Sequence, residues 1–338
     1  MKLRQQTLGA VKRLVVKVGT GVLTGAGAAP VVAQIAALHQ QGKQVILVSS
    51  GAIAAGMAVL GLKTRPKKLE QLQACAAIGQ GKLMAAYDAL FGRHNLHVAQ
   101  VLLTHDDLRS RHRHLCARNT LLQLLADGVI PIINENDTVA VDEIKFGDND
   151  RLSALVATLV DADLLVILSH IEGVWDAEKK RIPIIPAITR EVEALAGGTD
   201  RVTSVGGMKS KIEAAKIVTR AGIPLVIANG ERADVLAAIL VPDDVGTLFL
   251  PKFARLESRK RWIAFFQKPT GKLIVDDGAK HALCDAGKSL LAKGVVRAEG
   301  DCAAGNVVSV CDVAGVEFAR GLVRDGDVLV HRDDLVIL

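Results

Sequence analysis

The chain has 338 residues, half of them hydrophobic but only 3% aromatic, with a formal net charge of +6. That length fits a large domain plus a smaller one. So few aromatic rings imply a core of Ala, Val, Leu and Ile, and argue against an aromatic-platform binder of RNA or single strands.

A pI near 9.1 and a mean hydropathy of +0.29 suit a sizeable core and an anionic ligand, without by themselves indicating nucleic acid. Five cysteines (Cys75, Cys116, Cys284, Cys302, Cys311) make an odd set with no CxxC pair, as expected of packed, reduced thiols in a cytoplasm. Lys17 interrupts the short apolar run near the basic start, so a signal-peptide core is lacking. No stretch approaches the roughly 18 apolar residues of a membrane span. A cytoplasmic protein without membrane partners is expected.

In chain order, "RLVVKVG" (13–19) reads as a strand and "VVAQIAALHQQG" (31–42) as a helix ending at Gly42. "QVILVSSG" (44–51) is a second strand running into an Ala-rich helix. "VIPIIN" (129–134) is a third, followed after an acidic loop by a helix over "RLSALVATLVDA". "DLLVILS" (163–169) and "IPLVIAN" (223–229) complete the set. Continuous apolar strands alternating with helices predict an α/β domain, a mostly parallel sheet sandwiched by helices. Ligands of such sheets lie outside the carboxyl ends of the strands. Near residue 250 the composition becomes basic, and short strands with Gly/Asp turns follow. The expected division is 1–255, a linker 256–269, and a small β-rich domain 270–338.

Neither familiar phosphate loop is present. "ALCDAGKSL" has Ala282 where a Walker loop needs its first Gly, and "GTGVLT" has Thr24 where a dinucleotide fingerprint needs its third. Lys17 is instead costly inside an apolar strand unless its ammonium meets water or an anion. It precedes Gly19-Thr20-Gly21, where a tight turn can offer backbone N–H groups to an oxyanion. Ser49-Ser50-Gly51 ends a strand and opens a helix, a favourable place for a carboxylate or phosphate, or for a plain serine cap. Lys209 and Lys211 lie in a first helical turn after Gly206-Gly207, where the dipole disfavours cations unless an anion joins them.

Between these basic sites stands "INENDTVAVDEIKFGDNDR" (133–151). Its oxygens could hold Mg²⁺, or Asp137, helped by Asn149, could pair with the ammonium of an amino acid. It could also be a solvated loop. The run "HDDLRSRHRH" (105–114) reads as a solvated helix surface rather than a metal site, because His112 and His114 do not share a helix face.

With "VVKVGTGVLTG", "SSGAIAAG", "AAIGQGKL", "VIPIINENDTVAVDEIKFGDNDRLSALVA" and "VGGMKSKIEAAK" in hand, the chain resembles the bacterial glutamate 5-kinases of the amino-acid kinase superfamily. "ESRKRWI", "VDDGA" and "VHRDD" in the tail are similar to that family's C-terminal PUA domain. The resemblance implies transfer of the γ-phosphoryl of ATP to the γ-carboxylate of L-glutamate, the first step of proline biosynthesis. It implies that Lys17 and Lys211 hold the transferring phosphates, with Asp148 and Asp150 organising the lysines. Ser50, Gly51, Asn134, Asp137 and Asn149 would bind glutamate. Lys17, Gly19, Ser169, His170, Ser204, Gly206, Gly207, Met208 and Lys211 would line the nucleotide. Mg²⁺ would arrive with ATP, and no protein metal site is expected. A homo-oligomer (dimer or tetramer) and feedback inhibition by proline are implied in the same way.

Two departures fall on the nucleotide side. The family's usual Thr-Asp after the fourth strand is Ser169-His170, and its Gly-Thr-Gly-Gly-Met loop is Ser204-Val205-Gly206-Gly207-Met208. The PUA-like domain is also expected to be shortened between "FARGLV" and "VHRDD", so RNA binding is not expected of it. The alternatives are a sister kinase acting on another acid, or an RNA-binding or regulatory PUA protein whose kinase half has lost activity.

Overall fold

The computed structural model describes residues 2–25, 27–140, 149–195, 207–241, 243–251 and 258–338. They fall into two compact units that divide between Ala254 and Arg255.

In the first unit the described residues form one eight-stranded sheet. Its strands are β1 (Arg13–Val18), β2 (Gln44–Ser49), β3 (Val98–Leu103), β4 (Ile130–Glu135), β5 (Leu164–Ser169), β6 (Ile184–Ile185), β7 (Leu225–Asn229) and β8 (Thr247–Phe249). The order is β3-β4-β2-β1-β5-β7-β8-β6, and every pairing is parallel except β7 with β8. Helices α1 (Lys2–Leu8), α2 (Thr20–Gly25), α3 (Ala29–Gln40), α4 (Ala52–Val59), α5 (Leu69–Gly92), α6 (His105–Arg109), α7 (Arg111–Ala126), α8 (Asn149–Leu159), α9 (Arg190–Leu195), α10 (Met208–Arg220) and α11 (Val235–Leu240) connect the strands.

All residues of β4 and β5, and all but the first of β1 and β2, are buried. That is the burial expected of central parallel strands covered on both faces. The three strands that sequence reading missed are marginal ones. Edge strand β3 is only half buried and carries Gln100, β6 has two residues, and β8 has three. The parallel register sets strand ends level: Val18 lies opposite Ser49 on β2 and Leu168 on β5, and Ser169 opposite Asn229 on β7.

Helices α4 and α5 cross almost backbone to backbone, and two glycines permit it. A Cβ on Gly56 would stand 1.8 Å from the Cys75 carbonyl oxygen, and one on Gly79 1.8 Å from that of Ala52. At the other side of the sheet, Arg4 of α1 is buried and its guanidinium donates to the carbonyls of Pro183, Asp243, Val245 and Gly246 at 2.6–3.0 Å.

The run 105–114 departs from the solvated surface expected of it. Ser110 splits it into α6 and α7, and His105 and His114 turn inward and are buried. The cysteines divide too: Cys75 and Cys311 are buried, whereas Cys116 and Cys284 are exposed.

The second unit contains α12 (Ser258–Arg261), a π-type turn Trp262–Phe266, α13 (Asp277–Cys284) and strands β9 (Gly271–Val275), β10 (Leu290–Leu291), β11 (Val295–Gly300), β12 (Val307–Cys311), β13 (Glu317–Leu322), β14 (Val328–Val330) and β15 (Leu335–Ile337). Its larger sheet has the order β11-β9-β12-β13-β15, and β10 pairs with β14. Leu273, Val275, Leu283, Leu290, Val308 and Val310 fill its core. Part of the segment read as a linker is built into this unit: Trp262, Ile263, Ala264 and Phe266 are buried, and Arg320 of β13 donates to the Ala264 carbonyl at 2.9 Å. The short connection after β13 is closed by Arg324, whose N–H donates to the Leu329 carbonyl and whose Nε lies 2.8 Å from the buried Asp334 carboxylate.

Gly79→Ala is expected to lower the unfolding free energy by about 1–3 kcal/mol, as overpacking against a neighbouring backbone does, measured by urea denaturation. Gly81→Ala on the same helix, with open space around it, should be neutral or slightly stabilising.

Candidate functional site

Three elements bring charged side chains to one point at the carboxyl end of the sheet. Lys17 leaves β1, Asp150 lies in the first turn of α8, and Lys211 in the first turn of α10. Lys17 Nζ stands 2.7 Å from Asp150 Oδ1, and Lys211 Nζ 3.1 Å from Oδ2. Ser210 Oγ donates to Oδ2 at 2.6 Å. All three charged side chains are nearly inaccessible, at 7%, 1% and 5% exposure. Burial pushes the Asp150 carboxyl up, but Lys17, Lys211 and the hydrogen bonds from Lys17 and Ser210 together outweigh it and hold it down at about 2. The carboxylate is placed well, since a helix N-terminus favours negative charge. Lys211 is placed badly by the same rule, and Asp150 is what offsets that placement.

One residue earlier, Asn149 organises a polar cluster. Its Nδ2 lies 2.9 Å from the Ser49 carbonyl, 3.0 Å from Ser50 Oγ and 3.0 Å from Asn134 Oδ1. Asn134 passes its own amide to Gln80 Oε1 at 2.9 Å, and Gln80 donates to Gln100 at 3.0 Å. Gly51 caps α4 with φ 106°, a conformation that favours glycine, and no serine side chain caps the helix. The serine cap that the sequence offered is therefore not made, and Gly51 holds the cap position instead.

Asp137 is half buried, and burial pushes its carboxyl up to about 6, with Arg65 opposing. A folded-state value above the ordinary 3.8 means the native protein holds that proton more tightly than the unfolded chain. Its contribution to stability is thus present below pH 3.8 and lost as pH rises through about 6. The ionised form at neutral pH stands at a cost of about 3 kcal/mol, which a bound cation would relieve.

On the other side of Lys17, Gly19 follows β1 and α2 begins at Thr20, so the tight turn expected over Gly19-Thr20-Gly21 is a helix start. Lys17 Nζ sits 3.6 Å from where a Gly19 Cβ would lie, and His170 Nδ1 3.7 Å from where a Gly21 Cβ would lie. His170 is exposed and follows Ser169 at the end of β5. Gly207 caps α10, and Met208 begins it. Asp148, Ser204 and Gly206 lie outside the described residues. Sequence reading assigned no role to Gln80 or Ser210, although both fall within segments it singled out. Their signal was polarity inside otherwise apolar or glycine-rich motifs.

The sequence profile of the amino acid kinase family matches residues 12–229, and that of the PUA domain matches 271–325. A glutamate 5-kinase of Pelobacter propionicus is 46% identical over 373 aligned positions, covering 99% of this chain and all of the relative. One from Geobacter metallireducens is 47% identical with the same coverage. The chain belongs to the glutamate 5-kinase family.

The 373 aligned positions against 338 residues leave at least 35 with no counterpart here, so this glutamate 5-kinase family member is shorter than those relatives. Among solved structures, N-acetylglutamate synthase from Neisseria gonorrhoeae is similar over 75% of this chain and 62% of its own (TM-score 0.55, 16% identity). Giardia carbamate kinase is similar over 72% of this chain and all of its own (TM-score 0.51, 17% identity). These two share the fold.

Asp150→Asn is expected to lower the unfolding free energy at pH 7 by roughly 3–5 kcal/mol, because two buried ammonium groups lose their counter-ion. With a folded value near 2, that stabilisation is present above pH 3.8 and lost as pH falls toward 2. The gap between wild type and variant in urea denaturation should narrow over that interval.

Proposed function

We propose that the chain phosphorylates the γ-carboxylate of L-glutamate with ATP, giving L-glutamyl 5-phosphate, the first step of proline biosynthesis. The observation that carries this reading is the buried pair of lysines on Asp150, joined through its neighbour Asn149 to the Ser49–Gly51 turn. One side of that arrangement suits phosphates and the other suits a small polar acid.

The acceptor carboxylate is ionised at neutral pH, so no general base is required. Lys17 and Lys211 spread positive charge over the transferring group, and Asp150 keeps both heads in place. In a loose phosphoryl transition state, alignment and charge neutralisation supply most of the rate. Ser50, the Gly51 N–H and Asn149, with Asn134 behind it, hold the substrate. Asp137 takes its ammonium and thereby recovers the cost of its own desolvation. The turn at Gly19, with Ser169, His170, Gly207 and Met208, borders the nucleotide.

Magnesium fits this site as a passenger of the nucleotide. Both Asp150 oxygens face lysines. Carried in with the nucleotide, the ion would add charge neutralisation to that of Lys17 and Lys211. A cytoplasmic homo-oligomer inhibited by proline completes the proposal. Among the described residues no helix is long and apolar enough to cross a membrane.

An acyl-phosphate trap with MgATP and hydroxylamine tests the reading. Hydroxamate should form with L-glutamate, and not with L-aspartate or N-acetylglutamate. Lys17→Ala and Lys211→Ala should each reduce kcat by roughly 100-fold or more, in line with loss of a transition-state charge partner. No hydroxamate from any acid in folded protein would overturn the kinase reading.

The pH dependence carries a second expectation. Asp137 loses its charge as pH falls through about 6, so KM for glutamate should rise below that value while KM for ATP does not follow it. Asp137→Asn should raise KM for glutamate at pH 7.5 and flatten the profile.

A further inference from the structure

Behind the Ser49–Gly51 turn, a polar chain runs into the core. Tyr87, the one tyrosine of the sequence, lies on α5 with its ring in the main apolar cluster. Its hydroxyl is 2.8 Å from Ser49 Oγ, and both groups are fully buried. Ser49 Oγ in turn donates to the Ser50 carbonyl oxygen at 3.0 Å. A serine hydroxyl has a single proton. Because that proton goes to Ser50, Tyr87 is the donor to Ser49, and the direction of the relay is set. Burial pushes the phenol up to about 12, against the lowering influence of Ser49, so the donor keeps its proton throughout the working range.

The relay has a geometric consequence. No peptide bond in the described chain is cis, and in a trans peptide the N–H points opposite to the C=O. Drawing the Ser50 carbonyl toward Ser49 turns the Gly51 N–H the other way, at the opening of α4. Among the described residues that N–H has no protein acceptor. Asn149 holds Ser50 Oγ and the Ser49 carbonyl from the other side. The turn is thus held on both faces, by an amide from α8 and a phenol from α5.

We propose that Tyr87 is a positioning residue for the acceptor carboxylate: through Ser49 it fixes the Ser50–Gly51 peptide, so that the Gly51 N–H is presented to the substrate oxygen. The inference rests on the glutamate reading of this site. Tyr87 touches no substrate. It acts at one remove, on a backbone donor that would otherwise be free to rotate out of line.

Steady-state kinetics in the hydroxamate assay test it. Tyr87→Phe keeps the ring and removes the donor. Its KM for glutamate should rise about tenfold, equivalent to about 1.4 kcal/mol and within the range for one hydrogen bond, while KM for ATP changes less than about twofold. Ser49→Ala breaks the same relay without touching the aromatic packing, so it carries the test should Tyr87→Phe fold poorly. The double variant should be no worse than the more severe single one, since both remove one relay. An unchanged glutamate KM in Tyr87→Phe or in a folded Ser49→Ala, an equal rise in both KM values, or additive effects would overturn the relay. A wild type that makes no hydroxamate from glutamate would overturn the kinase reading, and this inference with it.

Discussion

A single carboxylate ties together the parts of this molecule that matter most. Asp150 meets a lysine from the central strand and another from a helix that enters the chain some sixty residues later. Neither lysine could be buried where it is without that partner, because an unpaired buried ammonium is among the most expensive groups a protein can hold. The helix dipole helps Asp150 and opposes Lys211. The arrangement is thus a compromise that stability alone would not select, since apolar residues of similar volume often do as well. On the reading proposed above, the return on that compromise is two cations held side by side for a transferring phosphoryl group.

The Ser49–Gly51 side of the site depends on close packing as well as on charge. Gly56 and Gly79 let α4 and α5 approach until their backbones nearly touch, and Tyr87 of α5 meets Ser49 in the turn that opens α4. Asn149 then links the turn to the charged centre in one residue step. The two halves of the site share a helix terminus, so a shift of α8 would disturb both at once. In-line transfer, as proposed for this site, needs close alignment, and the close approach at Gly56 and Gly79 leaves α4 and α5 little room to slide.

Much of this could be read from residues alone, and for identifiable reasons. The central strands were visible because parallel strands buried on both faces leave unbroken apolar runs, and Lys17 stood out as the exception within one. The resemblance of the 133–151 loop and the Ser-Ser-Gly turn to known motifs pointed to the substrate side. Short or half-exposed strands such as β3 and β6 carry too few residues to show a period. His105 and His114 were misread because burial of a polar side chain depends on tertiary partners that local pattern does not reveal. Ser210 and Tyr87 escaped notice for the same reason: a lone hydroxyl acquires meaning only from what faces it across the fold. The connection to Asp334 in the second unit is likewise invisible until Arg324 and Arg259 are seen to reach that carboxylate.

Arg4 bears on how the chain can be made. Its guanidinium is satisfied by carbonyls at positions 183 and 243–246, so the first helix finds its seat only after almost the whole kinase unit has been synthesised. During translation the N-terminal segment must wait, its charge in water, while the strands between are threaded into the sheet. Contacts of such sequence separation carry their loop-closure entropy before any gain arrives. A chain ending before the turn that leads into β8 therefore lacks three of the four carbonyls that seat the Arg4 guanidinium.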